Sequence, residues 1–404
     1  MGQSTNVAFW SNFVLSMIIW GIISLFADPL AALVGNPGLG HVLIVACVSI
    51  PLAAFSSIQM ALYRRELDFK TLFNVRIASI LIPLLVTIPL ALWLRSYWAL
   101  VFGTIAQNLV NAVLLTIFSK WKPSFYYSFA KLKEMLSFTV WSLFEAVSIW
   151  LTGYVDVFIV GTMLSQHYLG LYKTSSALVG QIMGLITAAT TPVLFSSLSR
   201  LQDNDKEFKS LFFKFQKLVG LLVFPLGVGI YCFSDIITKL LLGEQWMEAS
   251  GFIGLWGLTS AITIVLAHYS SEVYRAKGRP KLSVLAQWLH IIVLWPVILI
   301  AVKYGFETLY IARSWVRMEL ILVNLVIIFF LVRISPWQML RNVSASVFAS
   351  VAMLVVAIVL GGHGDTVVWK IISVVLCAMV YIAIIMFFPQ ERRLIKVHLL
   401  NRVR

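Results

Sequence analysis

Residues 77–94 read IASILIPLLVTIPLALWL, an unbroken apolar run closed by Arg76 on one side and Arg95 on the other. As a helix rising about 1.5 Å per residue, it covers about 27 Å, close to the hydrocarbon thickness of a bilayer. Its only polar side chains are Ser79 and Thr87, so no face is reserved for water. A helix that is apolar all round belongs inside lipid or a large core.

Working outward, eleven more runs of this kind follow the same rule, giving twelve spans: Phe9–Ala27, His41–Tyr63, Ile77–Leu94, Tyr97–Ser119, Met135–Leu164, Leu171–Leu198, Leu218–Ile237, Gly251–Ser270, Leu282–Val302, Thr308–Leu331, Val343–Leu360 and Val367–Phe388. The hydrophobic fraction of 60%, the charged fraction of 12% and a mean hydropathy of +0.92 fit this reading and exclude an ordinary soluble domain. Helices are preferred to a barrel because the runs are continuously apolar, whereas barrel strands alternate over about ten residues. The fold class expected is all-α and integral to the membrane.

Basic residues give the orientation. One set of loops carries Arg64, Arg65, Lys70 and Arg76, then Lys120, Lys122, Lys131 and Lys133, then Arg200, Lys206, Lys209, Lys214 and Lys217, then Arg275, Lys277, Arg279 and Lys281, then Arg333 and Arg341, and in the tail Arg392, Arg393, Lys396, Arg402 and Arg404. The other set holds only Arg95, Lys173, Lys239, Lys303 and Lys370. The basic side is expected to be cytoplasmic, with both termini on it. A formal charge of +14 then reflects a polybasic face against anionic lipid and calls for no nucleic acid.

Several classes drop out. No G-x-x-x-x-G-K-[ST] run exists, so the chain carries no P-loop. External loops of no more than about fifteen residues leave no room for a soluble catalytic domain. Cys47, Cys232 and Cys377 all fall within spans and read as small apolar side chains. No metal constellation and no cofactor motif is visible, and His290, mid-span, reads as a helix–helix hydrogen-bonding residue. Phe9–Ala27 lacks the small-residue cleavage pattern of a signal peptide and reads as a retained span. In KEFKSLFFKFQK, Lys206–Lys217, the residues Phe208, Leu211, Phe212 and Phe215 recur at helical spacing with lysines opposite, which predicts a segment lying in the headgroup layer.

Ionisable groups at membrane depth point to function, because each costs several kcal/mol unless it meets a partner or a wet cavity. Glu145 and Asp156 lie eleven residues apart, three helical turns, on one face of the fifth span with Thr152 between them. Arg313 and Arg317 lie one turn apart on the tenth, with Glu319 rotated away. Such a pair of cations in a cavity suits a phosphate, which guanidinium binds bidentately. Open beside this are a snorkelling role at the outer interface for Arg313, and for Arg317 one turn deeper, and a helix-end role for Asp156. Lys173 and Glu272 sit near span ends, as interfacial residues or as further cavity candidates. Pro83, Pro89, Pro192, Pro225 and Pro296 are expected to interrupt their helices, and Gly153, Gly161 and Gly180 to permit close approach near Asp156.

The runs ALYRRELDFKTL (61–72), SFAKLKEMLSFTVW (128–141), GYVDVFIVGTMLSQHYLGLYKTSSALVGQI (153–182), TPVLFSSLSRLQ (191–202), LLGEQWMEAS (241–250) and YRAKGRPKLSV (274–284) resemble the Wzx-type polysaccharide-biosynthesis flippases, near the colanic-acid-type exporters, of the multidrug/oligosaccharidyl-lipid/polysaccharide exporter superfamily. The resemblance implies a non-enzymatic transporter of the bacterial inner membrane. It would turn undecaprenyl-pyrophosphate-linked oligosaccharide over to the external leaflet by alternating access, in exopolysaccharide or lipopolysaccharide synthesis, beside a polysaccharide polymerase and export machinery.

It also implies two lobes around a central cavity: residues 1–130, 131–335, and an appended helix pair and basic tail in 336–404. Relatives carry about two more spans ahead of Phe9–Ala27, so the first lobe is expected to hold four helices where six are usual. On this template Arg313, Arg317 and Lys173 become cavity candidates for the substrate, and Glu145, Asp156 and Glu272 candidates for ion coupling or sugar binding. A multidrug or small-solute antiporter of the same superfamily and a membrane glycan polymerase stand as the other readings.

Overall fold

The computed structural model describes residues 2–33, 38–362, 364 and 366–400, the side chains of 33, 137, 138, 332 and 395–400 excepted. Arg402 and Arg404 of the basic tail, and the side chain of Lys396, lie outside that set. Twelve described helices are long and apolar enough to cross a membrane, one for each expected span: Gly2–Leu25, Gly40–Glu66, Phe69–Leu94, Trp98–Phe118, Thr139–Met163, Gln166–Arg200, Asp205–Cys232, Glu244–Ala276, Lys281–Tyr304, Phe306–Leu331, Pro336–Gly361 and Val367–Phe387. No strand occurs among the described residues.

The starts are set by local chemistry. Asp68 caps the third span by accepting from the Thr71 amide at 3.1 Å, and Thr366 caps the twelfth through the Trp369 amide at 3.2 Å. Ser335 and Gln338 form a capping box with Pro336 in the first turn. The seventh span starts at Asp205 because Asn204 caps the Glu207 amide at 3.3 Å. This corrects the surface-helix reading of Lys206–Lys217. Phe208 and Phe212 are buried in the core, and Lys277 closes over Phe208 at 4.6 Å while pairing with Asp205 at 2.7 Å.

The five prolines also behave differently from expectation. Each lies inside a continuous helix, which membrane helices tolerate where the freed carbonyl finds another partner. The breaks fall elsewhere. The second span is interrupted at Cys47–Val48 between Gly40–Ala46 and Ser49–Glu66. The tenth is interrupted at Val316, between Phe306–Trp315 and Arg317–Val332. The eighth contains one wide π-type turn, Ile264–His268.

The chain divides into two compact units, Met1–Ser137 and Phe138–Arg404. In the first, polar side chains tie the apolar helices to a loop and to one another: Asn6 Nδ2 donates to Ser124 Oγ of the loop after the fourth span at 2.6 Å, Asn12 Nδ2 to Ser57 Oγ at 2.8 Å and Asn111 Nδ2 to Ser56 Oγ at 3.3 Å. Between its first, second and fourth spans lies a hollow of about 450 Å³ lined by residues such as Phe13, Leu52, Phe55 and Ile117. Its lining is apolar, so it suits no charged group.

In the second unit, the core gathers Tyr172, Phe208, Phe252, Ile253, Leu294 and Ile298. The seventh and eighth spans approach where glycine removes the side chain: a Cβ on Gly227 would stand 2.3 Å from that of Ala261, and one on Gly257 2.4 Å from Ile230. The last two spans pack on the seventh through Leu221, Val228, Met353, Cys377 and Tyr381, and Tyr381 donates to the Leu221 carbonyl at 2.9 Å. Leucines and aromatics such as Leu185, Phe330 and Phe158 point outward, as lipid-facing positions do.

Candidate functional site

All six residues singled out in the sequence lie in the second unit, and the structure gathers all but Lys173 at two ionic groups at different depths. Eleven residues of one helix, about 16 Å, separate them.

The first group is built on Asp156, seven residues before the end of the fifth span. The tenth span brings Arg313 against it: Arg313 Nε donates to Asp156 Oδ2 at 2.5 Å. The sixth span adds Tyr172, whose hydroxyl donates to the same oxygen at 2.6 Å, and the Val157 amide donates to Oδ1 at 2.7 Å. Asp156, Tyr172 and Arg313 are all buried. A carboxylate and a guanidinium removed from water together hold only with such geometry, since desolvation otherwise exceeds their attraction. Arg313 is thus neither at the lipid interface nor a free cation, and Asp156 is not a free carboxylate. One donor, Arg313 Nη1, stays buried without a partner.

Arg317 stands differently. It opens the second helical segment of the tenth span at Val316, about 16 Å along from Phe306 and near the middle of the span. Its Nη1 donates to Ser260 Oγ on the eighth span at 2.7 Å, and its Cζ lies 3.7 Å from the centre of the Trp256 ring. Arg313 Cζ lies 4.8 Å from the same ring. No described carboxylate comes within 4.0 Å of Arg317, which is half-buried. None of its nitrogens is both buried and unbonded. Counting Asp156, Arg313 and Arg317, this level of the unit carries one uncompensated positive charge. Glu319 does not cancel it directly: two residues further along the helix, it turns away and accepts from His290 at 2.8 Å. His290 thereby takes the helix–helix bonding role read from its position.

The second group joins Glu145 and Glu272, both buried, through Arg275. Arg275 Nε lies 3.9 Å from Glu145 Oε1, and its Nη2 meets Glu272. Neither Glu145 Oε1 nor Arg275 Nε has a hydrogen-bond partner. The guanidinium also lies 5.6 Å from the centre of the Phe195 ring of the sixth span. Between the two groups, Thr152 Oγ1 donates to Gln287 of the ninth span at 3.1 Å. Lys173 joins neither group; one residue past Tyr172, it is turned about 100° from it and is exposed.

Several participants escaped the sequence reading, Ser260 among them. Tyr172 and Trp256 look like ordinary core aromatics, and only their partners mark them. Arg275 looks like a loop residue beside Gly278 and Pro280, yet it lies in the last turn of its helix. Among the described residues no group of three His, Cys, Asp or Glu is placed to hold a metal ion.

A family model described as "Polysaccharide biosynthesis protein" matches residues 2–251. An uncharacterized membrane protein in the cps region of Klebsiella pneumoniae is 21% identical over 299 residues, covering 72% of this chain and 61% of that one. The succinoglycan biosynthesis transport protein ExoT of Rhizobium meliloti is 22% identical over 287 residues, covering 71% and 57%, and the lipopolysaccharide biosynthesis protein WzxC of Escherichia coli 21% over 244 residues, covering 59% and 49%. The chain therefore spans about half to three fifths of the length of these curated relatives. In fold it is similar to the lipid II flippase MurJ in an inward closed conformation, with a TM-score of 0.67 and 17% identity over 98% of this chain and 84% of that one. It is also similar to a mutant of the Vibrio cholerae MATE transporter VcmN, with a TM-score of 0.65 and 13% identity over 86% and 80%.

Proposed function

We propose a function from one premise: this chain belongs to the polysaccharide biosynthesis protein family. It is a multi-pass membrane transporter, not an enzyme, that turns over undecaprenyl-pyrophosphate-linked oligosaccharide units across the bacterial inner membrane. The product feeds O-antigen, capsule or exopolysaccharide synthesis, beside a polymerase and export machinery. It works by alternating access of two helical lobes, 1–130 and 131–335, with 336–404 as an added helix pair and tail. Its termini are cytoplasmic, as the basic loops argue. The names of ExoT and WzxC support a polysaccharide precursor as cargo.

The observation that carries the reading is Arg317, a half-buried guanidinium near mid-span with no described carboxylate within 4.0 Å. A cation kept in that position is costly unless it meets a partner or a wet cavity, and the diphosphate of a lipid-linked sugar is a partner of the right charge. A second reading, a cation antiporter, draws on the likeness in fold to the MATE transporter, but an uncompensated arginine repels cationic cargo. Arg313 assists through its unbonded Nη1, and Lys173 serves the cargo from the exposed side of the sixth span. Glu145 and Glu272, with Asp156 at the other level, serve ion coupling or sugar hydroxyls.

Arg317→Ala is expected to reduce export in a flippase-deficient bacterial strain by at least about tenfold, a barrier change of about 1.4 kcal/mol, with membrane insertion intact. Normal export by a well-inserted variant overturns the proposal. Glu145→Gln tests the second group. A changed dependence on the ion gradient supports coupling, and an unchanged dependence removes it.

A further inference from the structure

One indole serves two guanidiniums, and only one of them is neutralised. Asp156 takes the charge of Arg313, whereas Arg317 lies over Trp256 and is fixed at one nitrogen by Ser260. Trp256 and Ser260 stand one turn apart on the same helix, so a single face of the eighth span sets both the plane and the rotation of the Arg317 group. A guanidinium lying on an aromatic face keeps its in-plane N–H edge for an acceptor that presents two oxygens side by side, and two oxygens of a tetrahedral phosphoryl group do so. The buried, unbonded Nη1 of Arg313 is an independent sign that this level lacks an acceptor.

We propose that Arg317 is the ligating residue of a phosphoryl-binding site and that Trp256 is its positioning residue, presenting the guanidinium edge-on to the ligand. The inference deepens the transporter reading and rests on it for the cargo. The site itself takes the phosphoryl group of any membrane-borne phosphate, and the two sources separate by experiment.

The full chain in nanodiscs of zwitterionic lipid is titrated with polyprenyl diphosphate, and in a second arm with phosphatidylglycerol. Trp256→Leu is expected to bind polyprenyl diphosphate about tenfold more weakly, or about 1.4 kcal/mol. Trp256→Phe, which keeps an aromatic face, should stay within about threefold. The cycle with Arg317→Ala is the decisive readout, because a merely structural role for Trp256 leaves the two effects independent. Trp256→Leu should cost nothing further once Arg317 is alanine. Multiplying losses, or binding unaffected by either substitution, overturn the proposal. Should Trp256→Leu fail to fold, Ser260→Ala replaces it, with an expected loss of about threefold and the same loss of effect beside Arg317→Ala. If phosphatidylglycerol binds as tightly with the same dependence on Arg317, the site stands and the lipid-linked sugar is no longer its cargo. If binding follows the cycle but export does not, the transport reading fails alone.

Discussion

Replacing Asp156 by asparagine leaves the side chain's shape and removes one of two charges from a pair that water scarcely reaches, with side-chain exposures of 5% for Arg313 and 4% for Asp156. The guanidinium then stays buried with no counter-charge. At a charge separation of about 4 Å and an effective dielectric constant of about 20, the lost attraction is about 4 kcal/mol, within the range of about 3–5 kcal/mol for breaking one side of a buried pair. Asparagine can still accept from Tyr172, so the hydroxyl bond contributes little to the difference. The assay is equilibrium unfolding in mixed micelles, followed by tryptophan fluorescence, for Asp156→Asn, Arg313→Gln and the double variant. Each single substitution should cost at least about 3 kcal/mol, and the double variant should recover much of that, because no charge is left stranded. A single variant within about 1 kcal/mol of the parent, or strictly additive losses, refutes the pairing argument.

Two further outcomes follow from the packing and the caps. Gly227→Val should cost about 1–3 kcal/mol in the same assay, because its Cβ would meet that of Ala261 at 2.3 Å; an unchanged midpoint refutes the close approach. Asp68, between the second and third spans, is held below the ordinary carboxylate range first by the Thr71 amide and then by the Thr71 hydroxyl. Its contribution is therefore fully present above about pH 3.9, its unfolded value, and is lost as pH falls through the lower folded value. Amide exchange at Thr71 should accelerate over that acid range in the parent relative to Asp68→Asn, which caps without titrating; matching pH profiles would rule this out.

The spans were legible because lipid imposes one rule on every residue of a run, and the rule is local. Residues 77–94 needed no knowledge of their neighbours. Asp156 and Arg313 are different: they lie 157 positions apart, and nothing in either helix tells which face of the other it meets. Their sequence reading gave correct spans and one shared face for Glu145 and Asp156, but not the partners that neutralise them. Arg275 was read as a loop cation because counting charges by side assigns every terminal arginine to water, whereas its long stem lets it turn back to Glu145 and Glu272. The Lys206–Lys217 segment misled in the opposite direction. A lysine-and-phenylalanine pattern describes a helix half in headgroups and one half in protein equally well, and burial of Phe208 and Phe212 distinguishes them.

The wide turn at Ile264–His268 sets the phase of everything beyond it. Sixteen residues of regular helix would rotate Glu272 by about 160° from Trp256, facing nearly the opposite way. One extra residue taken up in a π-type turn subtracts about 100°, leaving about 60° between them. The eighth span can thus offer Trp256 and Ser260 at one depth and Glu272 with Arg275 at another from the same half of its circumference. Shortening that turn by a single residue would give a more regular helix and swing the carboxylate and its arginine away from Glu145, so local irregularity is what keeps two distant levels in angular alignment.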